Sequence, residues 1–266
     1  IYDKYEMVVG LEIHAQLQTK SKAYSADSAE FGALPNTHIS PITLGHPGTL
    51  PKFNEYTLQY GVRLGLAVGS DITYENQFAR KNYFYADLPK GYQITQDKTP
   101  ICTGGYLDIK DDHEQTKRIG ITRAHLEEDA GKSMHDQDPF DTLIDLNRAG
   151  VPLIEVVSEP DIRSSKEAYN YLTELRKFVR YLGICDCNME EGSMRCDANI
   201  IVQTGTARDP HHFAALIGFG ATAVFPYLAY RTLDDLVETG ELLGDPEQAC
   251  INYRKGINKG LLKILS

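Results

Sequence analysis

Glu12 and His14 sit two residues apart in a stretch that alternates apolar and polar side chains, so both project from one face of a strand. A carboxylate and an imidazole so placed can offer an oxygen and a nitrogen to one metal ion, and a solvent-facing polar strip is the ordinary alternative. Glu155 lies inside Leu-Ile-Glu-Val-Val, where a strand should be buried on both faces. An unpaired carboxylate is expensive there, so Glu155 requires a cation, a metal or a proton, and a structural ion pair competes with a metal as the explanation. Glu127, Glu128 and Asp129 follow a strand and precede Gly131. They read either as a solvated strand end or, with Glu12, His14 and Glu155, as a carboxylate-rich set with one histidine, a composition that favours magnesium or manganese over zinc.

The elements that must position these groups follow from periodicity. Met7 to Leu17 reads as a strand with Leu11, Ile13, Ala15 and Leu17 on one face and Glu12, His14 and Gln16 on the other. A second strand runs from Arg118 to Leu126, with Ile119, Ile121, Arg123, His125 and Glu127 sharing a face, and a third, Leu153 to Val157, is bounded by Pro152 and Pro160. A helix is expected after Asn54, with Leu58, Val62 and Leu66 repeating at i+4. Another follows the Ser164 and Glu167 capping pair, with a stripe of Ala168, Leu172, Leu175, Val179 and Leu182 and a stop at Gly183. Beyond Ile200, Asp209-Pro210 opens a helix, Thr232 with Asp235 opens a second that Gly240 closes, and Asp245-Pro246 opens a third. Strands and helices mix without a βαβ rhythm, which predicts an α+β fold rather than a doubly wound sheet.

Composition bounds the function. The 266 residues suffice for one large or two modest domains, and 37 acidic against 27 basic residues give a net charge of -10. That balance argues against this chain alone gripping a phosphate backbone. Five cysteines without a regular framework fit a reducing compartment; Cys185 and Cys187 form a C-x-C pair that lacks the second pair of a zinc finger. No apolar run is long enough to span a membrane and no basic-then-apolar leader opens the chain. A start at Ile1 and a last stretch that stops in mid-pattern suggest a trimmed or partial sequence. Gly131-Lys132-Ser133 lacks the leading glycine of a phosphate loop, because position 126 is Leu. The G-x-G-x-x-A run at 218–223 has a helix start where a dinucleotide fold needs a strand.

Longer motifs carry a resemblance. VGLEIHAQL at 9–17, RKNYFY at 80–85, GITRAHLEEDAGK at 120–132, DLNRAGVPLIE at 145–155, SEPDIR at 158–163 and EEGSMRCDANI at 190–200 resemble the GatB family of aspartyl/glutamyl-tRNA amidotransferase subunits, nearly without a break over residues 5–200. The resemblance implies a cradle domain of glutamine-synthetase-like type with a mixed or antiparallel sheet, here cut short. It also implies an ATP- and Mg2+-dependent carbon–nitrogen ligase subunit. Such a subunit phosphorylates the side-chain carboxylate of Glu or Asp mischarged on tRNA and amidates it with ammonia drawn from glutamine. Its partners would be the amidase subunit and the small third subunit of the same heterotrimer, with mischarged Glu-tRNA or Asp-tRNA, in the cytoplasm or an organellar matrix. Carried over by motif, Glu12, His14, Glu127 and Glu155 are the metal-side and catalytic residues with Glu128 as a neighbour, and Arg80, Lys81, Lys132 and Arg195 are phosphate contacts.

A second resemblance begins where the first ends. TGTARDPHHF at 204–213, GFGATA at 218–223 with PYLA at 226–229, and NYRKGINKGLLKI at 252–264 resemble the central region of the glutamate synthase large chain. That region carries neither nucleophilic cysteine nor flavin machinery, so it implies no activity of its own, and His211 and His212 read as helix-start residues. The expected organisation is a partial catalytic cradle over 1–200 and a mostly helical fragment over 201–266. An inactive truncated or fused fragment is the alternative to a working ligase subunit.

Overall fold

A computed structural model describes residues 5–265. The first half of the chain holds β1 (Tyr5–Gln16), α1 (Glu55–Val68), β2 (Asp71–Ile72), β3 (Ala79–Asn82), β4 (Tyr92–Thr95), β5 (Cys102–Thr103), β6 (Tyr106–Lys110), β7 (Thr116–Glu128) and β8 (Lys132–Met134). There follow β9 (Leu143–Asp145), β10 (Pro152–Ser158), α2 (Ser165–Tyr181), β11 (Met194–Thr204), α3 (Pro210–Gly218), β12 (Ala223–Phe225), α4 (Tyr227–Glu238) and α5 (Pro246–Leu265). The class is α+β, with parallel and antiparallel pairing both present.

The contacts divide the chain into two compact units, one of Leu11–Glu159 with Tyr169–Asp197, the other of Ile1–Gly10, Pro160–Ala168 and Ala198–Ser266. The expected boundary at residue 200 falls inside β11, which runs through it unbroken. In the first unit β10 is flanked by antiparallel β1 and β7, β5 and then β2 continue beyond β7, and β6 also pairs with β7. Central placement explains the nearly all-apolar composition of β10: Leu153, Ile154 and Val156 are buried. Along β1 the expected alternation holds, with Leu11, Ile13, Ala15 and Leu17 buried and Glu12, His14 and Gln16 partly exposed.

Helix α1 starts where expected, with the Asn54 side chain accepting from Tyr56 N–H at 3.0 Å, but it buries a neighbouring face, about one residue's turn from the expected one. Leu58 and Leu66 are exposed, while Thr57, Gly61, Leu64, Gly65 and Val68 face inward. Two inward glycines let the helix backbone press onto the sheet: a Cβ on Gly65 would lie 2.4 Å from Cys102 Sγ and 2.6 Å from Ile72 Cδ1. The i+4 leucine repeat therefore marks the outer side, because close approach rather than side-chain bulk fills this interface. Helix α2 buries Leu175 and Val179 of its expected stripe together with Tyr171, which lies outside it, while Ala168, Leu172 and Leu182 are half-buried; Ser164 Oγ accepts from Glu167 N–H at 3.1 Å and Gly183 is left-handed beyond the helix end.

Between β1 and α1 the chain forms a long loop held by buried polar groups. Lys22, 1% exposed, donates through Nζ to His38 O at 2.6 Å, and burial lowers its pKa to about 8. Asp27 accepts from the hydroxyls of Ser25, Ser40 and Thr43.

In the second unit β12 lies parallel to β11, pairing Val202 with Val224, and Phe213, Ala207 and Ile257 form a small core with Leu216, Tyr253 and Leu261 packed around it. Asp209 caps α3 by accepting from the His211 and His212 N–H groups, which is the helix-start role expected of those histidines. Asp245 caps α5 in the same way through Gln248. Helix α4 corrects one expectation: it begins at Tyr227, so Thr232 lies within it and donates its hydroxyl to Leu228 O. A threonine that bonds back to the preceding turn gives up the capping role its sequence context suggested. Gly218 ends α3 and Gly220 follows it, both ahead of β12, the reverse of the order a dinucleotide site needs.

Candidate functional site

Antiparallel register sets the chemistry on one face of the first unit's sheet. His14 on β1 is directly opposite Glu155 on β10, and Glu155 is directly opposite His125 on β7. One rung along, Gln16 meets Leu153 and Leu153 meets Glu127. Side chains two residues apart on each strand share this face, so His14, Glu155, His125 and Glu127 come together from distant parts of the chain.

The central contact is His14 Nε2 to Glu155 Oε2 at 2.9 Å. His14 Nε2 is also 3.8 Å from Glu127 Oε2, and one ligand atom each from His14, Glu127 and Glu155 lies within 4.8 Å of the others. Lys81 Nζ reaches Glu127 Oε1 at 3.2 Å from β3, and Asp197 Oδ2 stands 3.9 Å from His14 Nδ1. Burial would raise the pKa of Glu155, but the His14 hydrogen bond and the fields of His125, His14 and Lys81 outweigh it and bring it to about 2. Burial works against the His14 cation, yet the bond and charge of Glu155 hold its pKa above the ordinary value. Glu127 is raised, first by burial and then by Glu155, against the pull of Lys81. His125 is lowered to about 4, chiefly by burial.

Two carboxylates crowded on one imidazole, one of them pushed toward its neutral form, are relieved by a divalent cation. The donor set of two carboxylates and one imidazole nitrogen suits magnesium or manganese. His14, Glu127 and Glu155 therefore fit such an ion. Glu12 shares the face of β1, but it stands opposite Val157, one rung away from Glu155, and is not part of the cluster. Glu128 points to the opposite side of β7, as strand alternation requires, and is buried there at 1% exposure. Its carboxylate accepts from Lys90 Nζ and from Ile94 N–H at 2.9 Å, so it serves as an internal counter-charge and is removed from the expected metal set.

The four expected phosphate contacts separate. Lys81 touches the cluster. Arg195 and Lys132 line a cavity of about 470 Å³ together with Gln16, Arg148, Phe31 and Met189. Arg80 is exposed, and its guanidinium stacks over Tyr92, 5.3 Å from the ring centroid, away from both. Asp129 organises the cavity wall: its two oxygens accept from Gln16 Nε2 at 2.9 Å and Arg195 at 3.1 Å, with Arg148 Nε 3.6 Å away. The sequence pattern points neither to this role of Asp129 nor to Arg148 and Gln16, although Gln16 occupies the next same-face position after His14. Cys185 and Cys187 are buried free thiols, and Cys187 N–H donates to Cys185 Sγ at 3.2 Å.

The profile of the GatB/GatE catalytic domain matches residues 7–213, a span that contains this whole sheet face. The chain belongs to that family. Curated members of the GatB/GatE family, named as the B subunits of aspartyl/glutamyl-tRNA(Asn/Gln) amidotransferases, are closely similar. The protein of Azotobacter vinelandii is 60% identical over 200 residues, covering 75% of this chain and 42% of its own length. That of Salinibacter ruber is 55% identical over 210 residues, covering 76% and 41%. The chain thus spans about two fifths of the length of these curated relatives. A second profile, the glutamate synthase central domain, matches residues 178–266 and overlaps the GatB/GatE match across 178–213.

Proposed function

We propose that this chain carries part of the catalytic site of a glutamine-dependent tRNA amidotransferase. In this reading the γ-phosphoryl of ATP is transferred to a side-chain carboxylate oxygen of Glu or Asp mischarged on tRNA, releasing ADP. Ammonia from a partner amidase then attacks the acyl carbon, the C–N bond forms and phosphate leaves, giving Gln-tRNA or Asn-tRNA. The amidase and the small third member of the heterotrimer are the proposed partners, in the cytoplasm or an organellar matrix. Among the described residues no helix is long and apolar enough to cross a membrane.

The observation that carries this reading is the convergence of His14, Glu127 and Glu155 on one buried-edge sheet face beside Lys81. Those three side chains would hold Mg2+, which when bound screens the nucleotide phosphates and stabilises charge on the moving phosphoryl group. Without an ion Glu155 holds the His14 ring by accepting from Nε2–H, and that proton must leave before the nitrogen can take a metal. Lys81 supplies a cation at the rim of the cluster, while Arg195 and Lys132 offer two more in the adjacent cavity for phosphate oxygens. Asp129, by holding Arg195 and Gln16, keeps that cavity wall in place.

The test is ADP release by the full chain with Mg2+, mischarged tRNA and the amidase partner, alongside Glu155→Ala. Loss of turnover by at least about a hundredfold is expected for a group holding a metal at the reacting centre. Undiminished turnover in the variant overturns the site assignment. The second reading, an inactive fused piece, is favoured by the second profile over 178–266. It predicts neither turnover nor cation binding by the unaltered chain.

A further inference from the structure

His125 is 3% exposed, its Nδ1 has no hydrogen-bond partner, and its Nε2 lies 3.6 Å from Glu155 Oε2. That oxygen is the one His14 Nε2 contacts at 2.9 Å from the other flanking strand. The plain alternative is a core histidine that merely fills space between β7 and its neighbours. An imidazole is a poor filler, since it buries two polar nitrogens where a leucine buries none, and the orphan Nδ1 is a standing penalty. The compensation visible at this position is Glu155. At 3.6 Å the contact is an electrostatic approach longer than a formed hydrogen bond, so its effect is to bracket the carboxylate rather than to clamp it. With His14 on one side and His125 on the other, and both on the same rung, the Glu155 side chain has little room to swing along the sheet.

We propose that His125 is a positioning residue: it keeps the Glu155 carboxylate turned toward His14 and Glu127 and thereby sets the affinity of that cluster for a divalent cation. The proposal rests on the reading of the cluster as a metal site. Partners one layer behind metal ligands are worth about 10–100-fold in affinity.

The experiment is calorimetric titration of Mn2+ alone into the full chain and into two variants, His125→Leu and His125→Gln, with melting temperatures recorded in EDTA. Leu keeps the bulk and removes both nitrogens, and Gln restores a donor near the Nε2 position. The expected result is a Leu variant that melts at or above the unaltered chain without metal, yet binds Mn2+ about 10–100-fold more weakly. Gln should recover most of that loss. A Leu variant that loses melting temperature and affinity together, with no rescue by Gln, reports general damage to the fold, and that pattern overturns the proposal. So does a Leu variant that binds Mn2+ as tightly as the unaltered chain, an outcome that leaves the metal reading intact. An unaltered chain that takes up no Mn2+ overturns the metal reading and this proposal with it.

Discussion

Replacing Glu155 by Gln tests the electrostatics of the cluster without changing its shape, and the stability gap between the two proteins should be bell-shaped in pH. Glu155 is lowered from 4.5 to about 2 in the folded state. A depressed carboxylate contributes stability that is fully present above its unfolded pKa and is lost as pH falls through the folded value. The drop of about 2.5 units corresponds to roughly 3 kcal/mol, most of it vanishing between about pH 4.5 and 2. Protonation of His125, whose pKa is held near 4, falls inside this limb and blunts it. His14 moves the other way, raised above 6.5 by the same pair, so its contribution is present at low pH and lost as pH rises through its folded value. The gap should therefore peak at roughly pH 4.5–6.5 and fall on both sides. For a unit of this size 3 kcal/mol is about 6–12 °C in melting temperature, well within reach of thermal unfolding followed by circular dichroism in EDTA. A gap that stays flat from about pH 3 to 8, or is smallest in the middle, would refute the assignment of a charged His14–Glu155 pair.

Two further outcomes follow from the frame around the site. Gly65→Ala should destabilise the first unit by about 1–3 kcal/mol in urea unfolding, because the added carbon meets Cys102 and Ile72 and the core must give way. Lys90→Met should cost up to about 3–5 kcal/mol at neutral pH by removing the direct partner of the buried Glu128 carboxylate and leaving it the Ile94 N–H and the nearby Lys22 charge; the additional change Glu128→Gln should recover much of it, and a neutral single variant would show that the pair is dispensable.

Residues whose environment is set locally were legible in the sequence. The alternation of β1, the carboxylate inside the apolar run of β10, the Leu175 and Val179 centre of the α2 stripe and the Asp209-Pro210 helix start all appear in the structure as their patterns imply. Of the acids and the histidine proposed for a metal, His14, Glu127 and Glu155 do meet, but their meeting is a property of register between β1, β10 and β7, which no spacing along the chain encodes. Glu128 was placed with them by adjacency, while a strand sends neighbours to opposite faces. The face of α1 was misread because a leucine repeat ordinarily marks the core, and here two glycines do so by admitting the helix backbone itself. Thr232 resembled a cap because a hydroxyl and an acid three apart have two uses, and only the path of the preceding turn separates them. His125 and Asp129 stood in plain sight within the longest motif, yet their partners, Glu155 and the pair Gln16 and Arg195, come from other strands.

The rung that joins His14, Glu155 and His125 also ties the site to the order in which the chain must assemble. β1 comes from the start of the sequence and β10 from beyond its middle, so no ribosome-bound fragment that lacks β10 can possess the cluster, however well its earlier elements have formed. Nor can a compact chain with β10 slipped by a single residue, since such a slip turns Glu155 to the far side of the sheet. On the proposed metal reading, affinity for a cation therefore requires the finished alignment of β1, β10 and β7, and a slipped sheet would have none.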